Sequence, residues 1–475
     1  MLGTWPIATR NLLRNRKRNI ATGSAIALGF ASMLALGGYI NRVEKYLQAY
    51  TIYAQRTGHI AIFTRDGLEN FTTRPKIYSL SRTIQQDIEN IAGSIQNVQL
   101  FGGQLFGTGL AGNGCRSVPF VATGVSPKLD KLLREHPSLV EWATKQSKMT
   151  KGAQLSDYPE EIGGILVADG LARILGKPKV LSEIAPSSHT PIITDCSQND
   201  VKGLIAQDAN IQLATSSWHG SMAALDAEII GHYDPGITEI SHTGILTPLA
   251  FMQKLLDTDH VTQFSIWLRN PEHLKENLAT LKKRLDKMGH DLDFYTWDDE
   301  RLSPMYAGTM QFLQTMVNFL TVVLGVVILF SIFNAATMTI IERSQEIGMM
   351  RSLGYKRHQI RHLFLQECFI LTVLAMALGS LLGFALILII NHAEIYLYPP
   401  GISGGLRLEL RPDLLSMLIP AFFIGFLAFF PQPLQYAIPS SRELSICSWE
   451  PIGRIYDKTF LSFFPDCIIV PRFVH

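Results

Sequence analysis

Four stretches of this chain stay apolar far longer than a strand or an ordinary core helix requires. Ile20–Ile40 contains no charge. At 1.5 Å per residue it reaches about 31 Å, enough for a hydrocarbon core of about 30 Å. A second uncharged run covers Leu302–Ile341 and is most apolar from Met316 to Ile340; Cys368–Ile390 is the third, and Leu414–Phe430 is a shorter fourth. Each predicts a membrane-spanning helix. Gly379, Ser380 and Gly383 in the third run suit close approach of another helix in lipid.

Between the first two runs the pattern changes. Short β-branched or alternating segments predict strands at His59–Phe63, Val118–Thr123, Ile165–Val167, Pro191–Thr194, Ile211–Ala214, Ala227–Ile230 and Val261–Leu268. Helical spacing predicts helices at Ile77–Ile91, Leu246–Leu256 and Pro271–Lys287. The last has Asn270 as its expected N-cap, Pro271 at the first position and a cationic end. Residues 41–311 therefore read as an α+β domain, with a β-rich piece at about 150–220. The fold class expected is an α-helical membrane protein with four transmembrane helices and this α+β domain between helices 1 and 2.

Composition agrees. The 475 residues are 47% apolar and 17% charged, well under the usual quarter, and the net charge of +2 says little about partners. Charge placement says more. The leader holds Arg10, Arg14, Arg16, Lys17 and Arg18 and no acid, while residues 41–311 carry 26 basic and 30 acidic groups. The 342–367 insert has five basic and three acidic residues. The positive-inside rule then puts the leader and the insert in the cytoplasm and 41–311 outside. The organisation expected is a cytoplasmic amphipathic segment 1–19, span 20–40, outer domain 41–311, span and stalk 312–341 and cytoplasmic segment 342–367. Span 368–390, outer loop 391–413, span 414–430 and tail 431–475 complete it. A cleavable signal ending near Ala35-Leu-Gly37 is the competing reading of the N-terminal run.

Candidate chemistry is sparse. Gly170–Pro178 resembles a phosphate loop, yet five residues separate the glycines and Pro178 stands where a magnesium-holding Ser/Thr belongs. It reads as a helix ending at Gly176. Gly401-Ile-Ser403-Gly404-Gly405 has nucleophile-elbow letters after Pro399-Pro400, a turn context. His358 and His362 share a helical face with basic neighbours and lack the zincin glutamate. No cofactor, metal site or nucleic-acid stripe is expected, nor any catalytic residue. Cys115 and Cys196 are the two outer-domain cysteines, and their spacing alone leaves pairing open.

The insert from Glu342 to Gly354 is the most specific feature. Helix formers dominate it, and Gly354 stands where a helix would stop. Ile347 and Met350 fall on one side with Leu353, rimmed by Glu342, Glu346, Arg343 and Arg351. That strip suits either a partner's groove or the lipid surface.

The pattern Glu342-Arg343-x-x-Glu346-Ile347-Gly348-x-x-Arg351-x-x-Gly354 resembles the signature of FtsX-like ABC-transporter permeases, the MacB and lipoprotein-releasing LolC/LolE group. The Arg10–Arg18 entry, Gly58-His59-Ile60, Ile165–Gly176 and Pro399-Pro400-Gly401 are similar to further pieces of that family, over roughly residues 5–431. The resemblance implies that 41–311 is a MacB-like periplasmic domain and the protein a multi-pass inner-membrane permease subunit. It implies a homodimer or paralogous permease pair and a separate cytoplasmic ABC ATPase that supplies ATP hydrolysis. Glu342, Arg343, Glu346, Ile347, Gly348, Met350, Arg351 and Gly354 would carry the ATPase coupling. The cargo implied is a lipoprotein, peptide or lipid, released or exported by mechanotransmission. A regulator of a cell-wall hydrolase or a membrane-anchored sensor is the alternative. The tail 431–475 departs from the family pattern.

Overall fold

The computed structural model describes residues 16–142, 148–158, 163–184, 196, 201–397 and 406–429. Five helices frame the chain: α1 (Arg16–Ala49), α2 (Pro304–Glu342), α3 (Ser344–Ser352), α4 (Arg357–His392) and α5 (Leu414–Phe429). It divides into two compact units. One holds residues 23–328 and 373–424, the other 1–22, 329–372 and 425–475.

Three helical segments among the described residues are long and apolar enough to cross a membrane: Asn19–Ala54, Pro304–Ala335 and His358–His392. Helix α5, the expected fourth span, has 16 residues with Pro420 inside it, and its apolar helical core Leu414–Phe426 is shorter than the other three. Large apolar side chains such as Phe319, Val322 and Phe330 on α2 and Leu381, Leu388 and Ile389 on α4 are exposed. In water such a band would be a liability; in lipid it is the surface to be solvated. Glycines set the packing of the larger unit. A Cβ at Gly379 would lie 2.6 Å from the Ala27 carbonyl oxygen, and one at Gly383 would lie 2.8 Å from Leu34 Cδ2. Both glycines thus let α4 lie close against α1.

Among the described residues ten strands build the outer domain: β1 (Ile60–Thr64), β2 (Val98–Gly112), β3 (Ser117–Val125), β4 (Met149–Gly152), β5 (Gly164–Ala168), β6 (Asn210–Ser216), β7 (Met222–Tyr233), β8 (Gly244–Pro248), β9 (Gln263–Leu268) and β10 (Leu292–Thr296). Along one stretch β10, β1, β9 and β2 lie antiparallel. Helices Arg82–Ser94 and Leu274–Lys287 cover that layer through Ile88, Ile91, Leu281 and Leu285. Further along β2 the order becomes β2-β3-β8-β5-β7, and β6 pairs with both β7 and β2. These six strands therefore close into a ring, filled by Leu105, Phe120, Ile165, Val167, Leu213 and Ile229. Strand β2 belongs to both parts. The expected β-rich piece, 150–220, is only a portion of this ring, which draws strands from 98 to 248.

Several elements differ from the sequence reading for physical reasons. The expected Leu246–Leu256 helix is split: Gly244–Pro248 pairs parallel with β3, and a helix runs from Leu249 to Leu256. The expected Ile77–Ile91 helix starts at Arg82, because Leu80 is bridged to Val261 and Ser81 accepts the Ile84 N–H. Asn270 makes no side-chain cap. A 3-10 turn, Pro271–His273, precedes the helix, and the Asn97 side chain accepts from the Asn270 N–H and donates to its carbonyl. The strand expected at 191–194 lies outside the described residues.

The joint between α1 and the outer domain is built from buried polar groups. Helix α1 runs into a π-helical turn, Tyr50–Ala54, whose five residues are all buried. Wider hydrogen bonding there redirects carbonyls: Ile52 accepts from Trp267 Nε1 at 2.9 Å and Thr51 from Thr57 Oγ1 at 2.7 Å. Arg56 follows with φ 63° and grips Asp130, which also receives Arg134 at 2.8 Å. Burial alone would raise the Asp130 carboxyl, but Arg134 and Arg56 outweigh it and hold it at about 2.

Candidate functional site: the 342–354 insert

Within the smaller unit, α2 ends at Glu342, the helical run breaks at Arg343 (φ −103°, ψ 17°), and α3 begins at Ser344. At this break the Arg343 guanidinium is drawn inward. It is 5% exposed and its Nη1 donates to both oxygens of Glu367 on α4, at 3.0 and 3.2 Å, with Glu346 3.9 Å from its Nε. Such a charge-assisted pair, shielded from water, ties the insert to α4.

The end of α3 is as expected from Gly354, and the detail is a Schellman motif. Gly354 takes φ +91°, its N–H donates to Arg351 O, and the Tyr355 N–H donates to Met350 O, each at 3.1 Å. A side chain at 354 would meet open space, so glycine is there for the backbone. Helix α4 then starts at Arg357, with Gln359 Oε1 accepting the Lys356 N–H at 2.9 Å. Lys356 thus separates two helices that fold back on each other.

This geometry redistributes the residues expected to face a partner. Ile347 is buried with Ile360 and Phe364 of α4, and Met350 packs against that cluster. Arg343 is buried too. The Ile347–Met350 strip is the inner face of a helical hairpin, covered by Ile360 and Phe364, not the exposed docking strip that spacing predicts. The outward apolar side chains are Met349 (60% exposed), Leu353 (73%) and Tyr355 (52%). Met349 and Leu353 stand one turn apart on α3. Glu342 and Gly348 are exposed, Glu346 and Arg351 partly so, and Gly354 is exposed at the tip. Sequence spacing alone missed Met349 and Tyr355. The signal that finds them is the return helix: with Ile360 and Phe364 one turn apart after a tight stop, the i/i+3 strip facing them is already covered.

The other sequence motifs settle into structural roles. In Gly170–Pro178 the Gly170 N–H donates to Ser241 Oγ at 3.1 Å, and a Cβ there would strike Ser241 O at 2.6 Å. Gly176 ends the helix at φ +66°, and Lys177 is buried against Asp208 at 2.9 Å. No cradle of free amides forms. His358 and His362 are exposed on α4. Ser403, Cys447 and Cys467, and the Arg10 and Arg14 of the leader, lie outside the described residues. Cys115 and Cys196 are joined in a disulfide.

Residues 318–433 match the family described as FtsX-like permease C-terminal. The chain is 22% identical over 177 residues to the "Macrolide export ATP-binding/permease protein MacB" of Bordetella avium, covering 36% of this chain and 27% of that protein. It is 36% identical over 62 residues to the "ABC transporter permease YtrF" of Bacillus subtilis, covering 13% of this chain and 14% of that protein. The chain thus spans about a quarter of the MacB relative and less of YtrF. A solved periplasmic region of MacB from Actinobacillus actinomycetemcomitans superposes with a TM-score of 0.30 at 11% identity, covering 50% of this chain and 88% of that one.

Proposed function

We propose that this chain, whose residues 318–433 match the FtsX-like permease C-terminal family, acts as the membrane subunit through which a separate cytoplasmic ATPase moves the outer domain. The observation that carries this reading is the α3 hairpin. It is a short helix with a sharp stop, braced internally by Arg343 and Glu367, that presents Met349, Leu353 and Tyr355 outward beside Glu346 and Arg351. A braced helix with an outward apolar strip suits a groove in a partner that binds it differently in two nucleotide states. Methionine adapts to such repacking. In this reading, of the eight residues expected to couple, Glu342, Glu346, Gly348 and Arg351 meet the partner, while Arg343, Ile347, Met350 and Gly354 shape the hairpin.

In this reading the nucleotide is bound by the partner. The Cys115–Cys196 disulfide supports an outer domain in an oxidising compartment, in keeping with the basic leader and insert on the other side of an inner membrane. Work done outside on a lipoprotein, peptide or lipid is the use this arrangement suits, with the chain paired to a second copy or a paralogue. The test is co-purification with the cognate ATPase. Met349→Glu with Leu353→Glu removes the complex and its stimulated ATP turnover while the melting temperature stays put. An unchanged complex in that variant sinks the coupling assignment.

A further inference from the structure

A cleft of about 1010 Å³ opens on the outer domain between the β2–β3 turn, the helix Asp169–Ile174 and the helix Val201–Ala206. It is separate from the α3 hairpin, and the proposed function does not use it. Its wall is two-natured. Ile174, Val201 and Ile205 contribute apolar surface, while Arg116, Arg173 and Lys202 carry three exposed positive charges. Among the described residues these three cations form no ion pair. Arg116 Nη1 donates to Ile174 O at 3.1 Å and Arg173 Nε to Asp169 O at 3.3 Å, both neutral backbone carbonyls. Lys177 also lines the cleft but is paired with Asp208. Among the described lining residues one acid opposes them: Asp169, which accepts from Thr150 Oγ1 at 2.7 Å.

At the buried end stands His232 of β7. It is 5% exposed, lines the cleft, and its Nε2 has no hydrogen-bond partner among the described residues. A buried ring nitrogen left without a partner is destabilising, so its retention calls for an explanation. Burial holds this imidazole below its ordinary value, hence neutral at pH 7, with a nitrogen that takes or gives one hydrogen bond to an incoming oxygen.

We infer that this cleft binds a single-chain anionic amphiphile, with a phosphate-type head held by Arg116, Arg173 and Lys202 and an apolar chain against Ile174, Val201 and Ile205. A purely ionic ligand would make no use of the apolar wall, and a neutral lipid would give the three cations no partner of opposite charge. The volume is at the upper end of ordinary ligand pockets, which run to about 1,000 Å³. Guanidinium pairs suit the planar, bidentate recognition of phosphate oxygens.

The probe is octyl phosphate below its micelle concentration. It is titrated against the full chain in phosphatidylcholine nanodiscs, with empty nanodiscs subtracted. One saturable site per chain is expected. Arg116→Ala with Arg173→Ala, both on the surface, should weaken it at least tenfold without changing the melting temperature. Inorganic phosphate should bind at least tenfold more weakly, and octyltrimethylammonium not at all. A second variant, Ile205→Ser, should weaken octyl phosphate and leave inorganic phosphate unaffected. The proposal is overturned by non-saturable uptake, by equal binding in the double variant, by inorganic phosphate matching octyl phosphate (a headgroup site only), or by a glutamate-rich peptide displacing the probe at lower concentration. Because none of these residues lies in the α3 hairpin, failure here leaves ATPase coupling untouched, and the converse also holds.

Discussion

Replacing Asp130 with Asn tests the joint between α1 and the outer domain. The carboxylate is 2% exposed, receives Arg56 through Nε at 3.0 Å and through Nη2, and receives Arg134 at 2.8 Å. Asn keeps the shape and removes the charge, so two guanidiniums remain buried without their counter-ion. Breaking a buried pair in this way typically costs about 3–5 kcal/mol. Part of that cost has a pH signature. The folded carboxyl sits at about 2. Against an unfolded value near 3.9 the difference amounts to roughly 2.5 kcal/mol. Since the folded value is the lower one, this stabilisation is fully present above about pH 4 and is lost as pH falls through 2. Urea unfolding of the full chain in nanodiscs, followed by tryptophan fluorescence, reads the effect; Trp267, fully buried and bonded to Ile52, reports the joint directly. The gap between wild type and Asp130→Asn should be about 3–5 kcal/mol at pH 7 and shrink toward pH 2. A gap under about 1 kcal/mol, or one that stays constant with pH, refutes the account of this network.

Three more expectations follow from other sites. Cys115→Ser with Cys196→Ser opens a cross-link of sequence separation 81; the chain-entropy relation gives a ceiling near 4.5 kcal/mol, so an unchanged melting temperature contradicts it. His59 is held at about 4 by burial and by His136. The unfolded chain takes up a proton below about 6.5 while the folded chain does not, so stability drops by up to about 3 kcal/mol between pH 6.5 and 4. His59→Gln should flatten that slope in the same urea assay. Gly354→Ala forces a Cβ onto φ +91° at a cost of about 1 kcal/mol; hydrogen exchange should show the Tyr355 amide losing protection, and equal protection would mean the helix stop does not depend on glycine.

The long apolar runs and the helix stop at Gly354 were legible because each rests on a local rule: length against bilayer thickness, and a left-handed backbone position. Strand β2 was not, although it is the longest in the domain. Its sequence, Val98-Gln-Leu-Phe-Gly-Gly-Gln-Leu-Phe-Gly-Thr-Gly-Leu-Ala-Gly112, looks like a poor strand. The glycines make sense only with their neighbours in place. A Cβ at Gly102 would meet Leu129 at 2.6 Å, at Gly107 Met252 at 2.1 Å, and at Gly109 the Ala214 carbonyl at 2.2 Å. Pro248 misled in the opposite direction, since apolar spacing across it suggested one helix where tertiary pairing makes a strand and a helix. The exposed strip on α3 failed for a related reason. Periodicity gives a helix its apolar face, but Ile360 and Phe364, folded back from α4, decide that Ile347 faces inward. The Cys115–Cys196 bond likewise needed the β2–β3 turn to bring Cys115 to its partner.

The π-helical turn at Tyr50–Ala54 has a consequence for how α1 is counted. Each residue in a π-turn advances less around the axis than an α residue, so these five set the angular phase between the lipid-facing part of α1 and everything after Arg56. Deleting one of them would let an α-helix run through. The carbonyls that Trp267 and Thr57 now cap would swing away, and the whole outer domain would be presented on a different azimuth of the same helix. Residue count in this turn, more than any single contact, is therefore the protein's compass setting, and a one-residue insertion or deletion here should matter more than most substitutions around it.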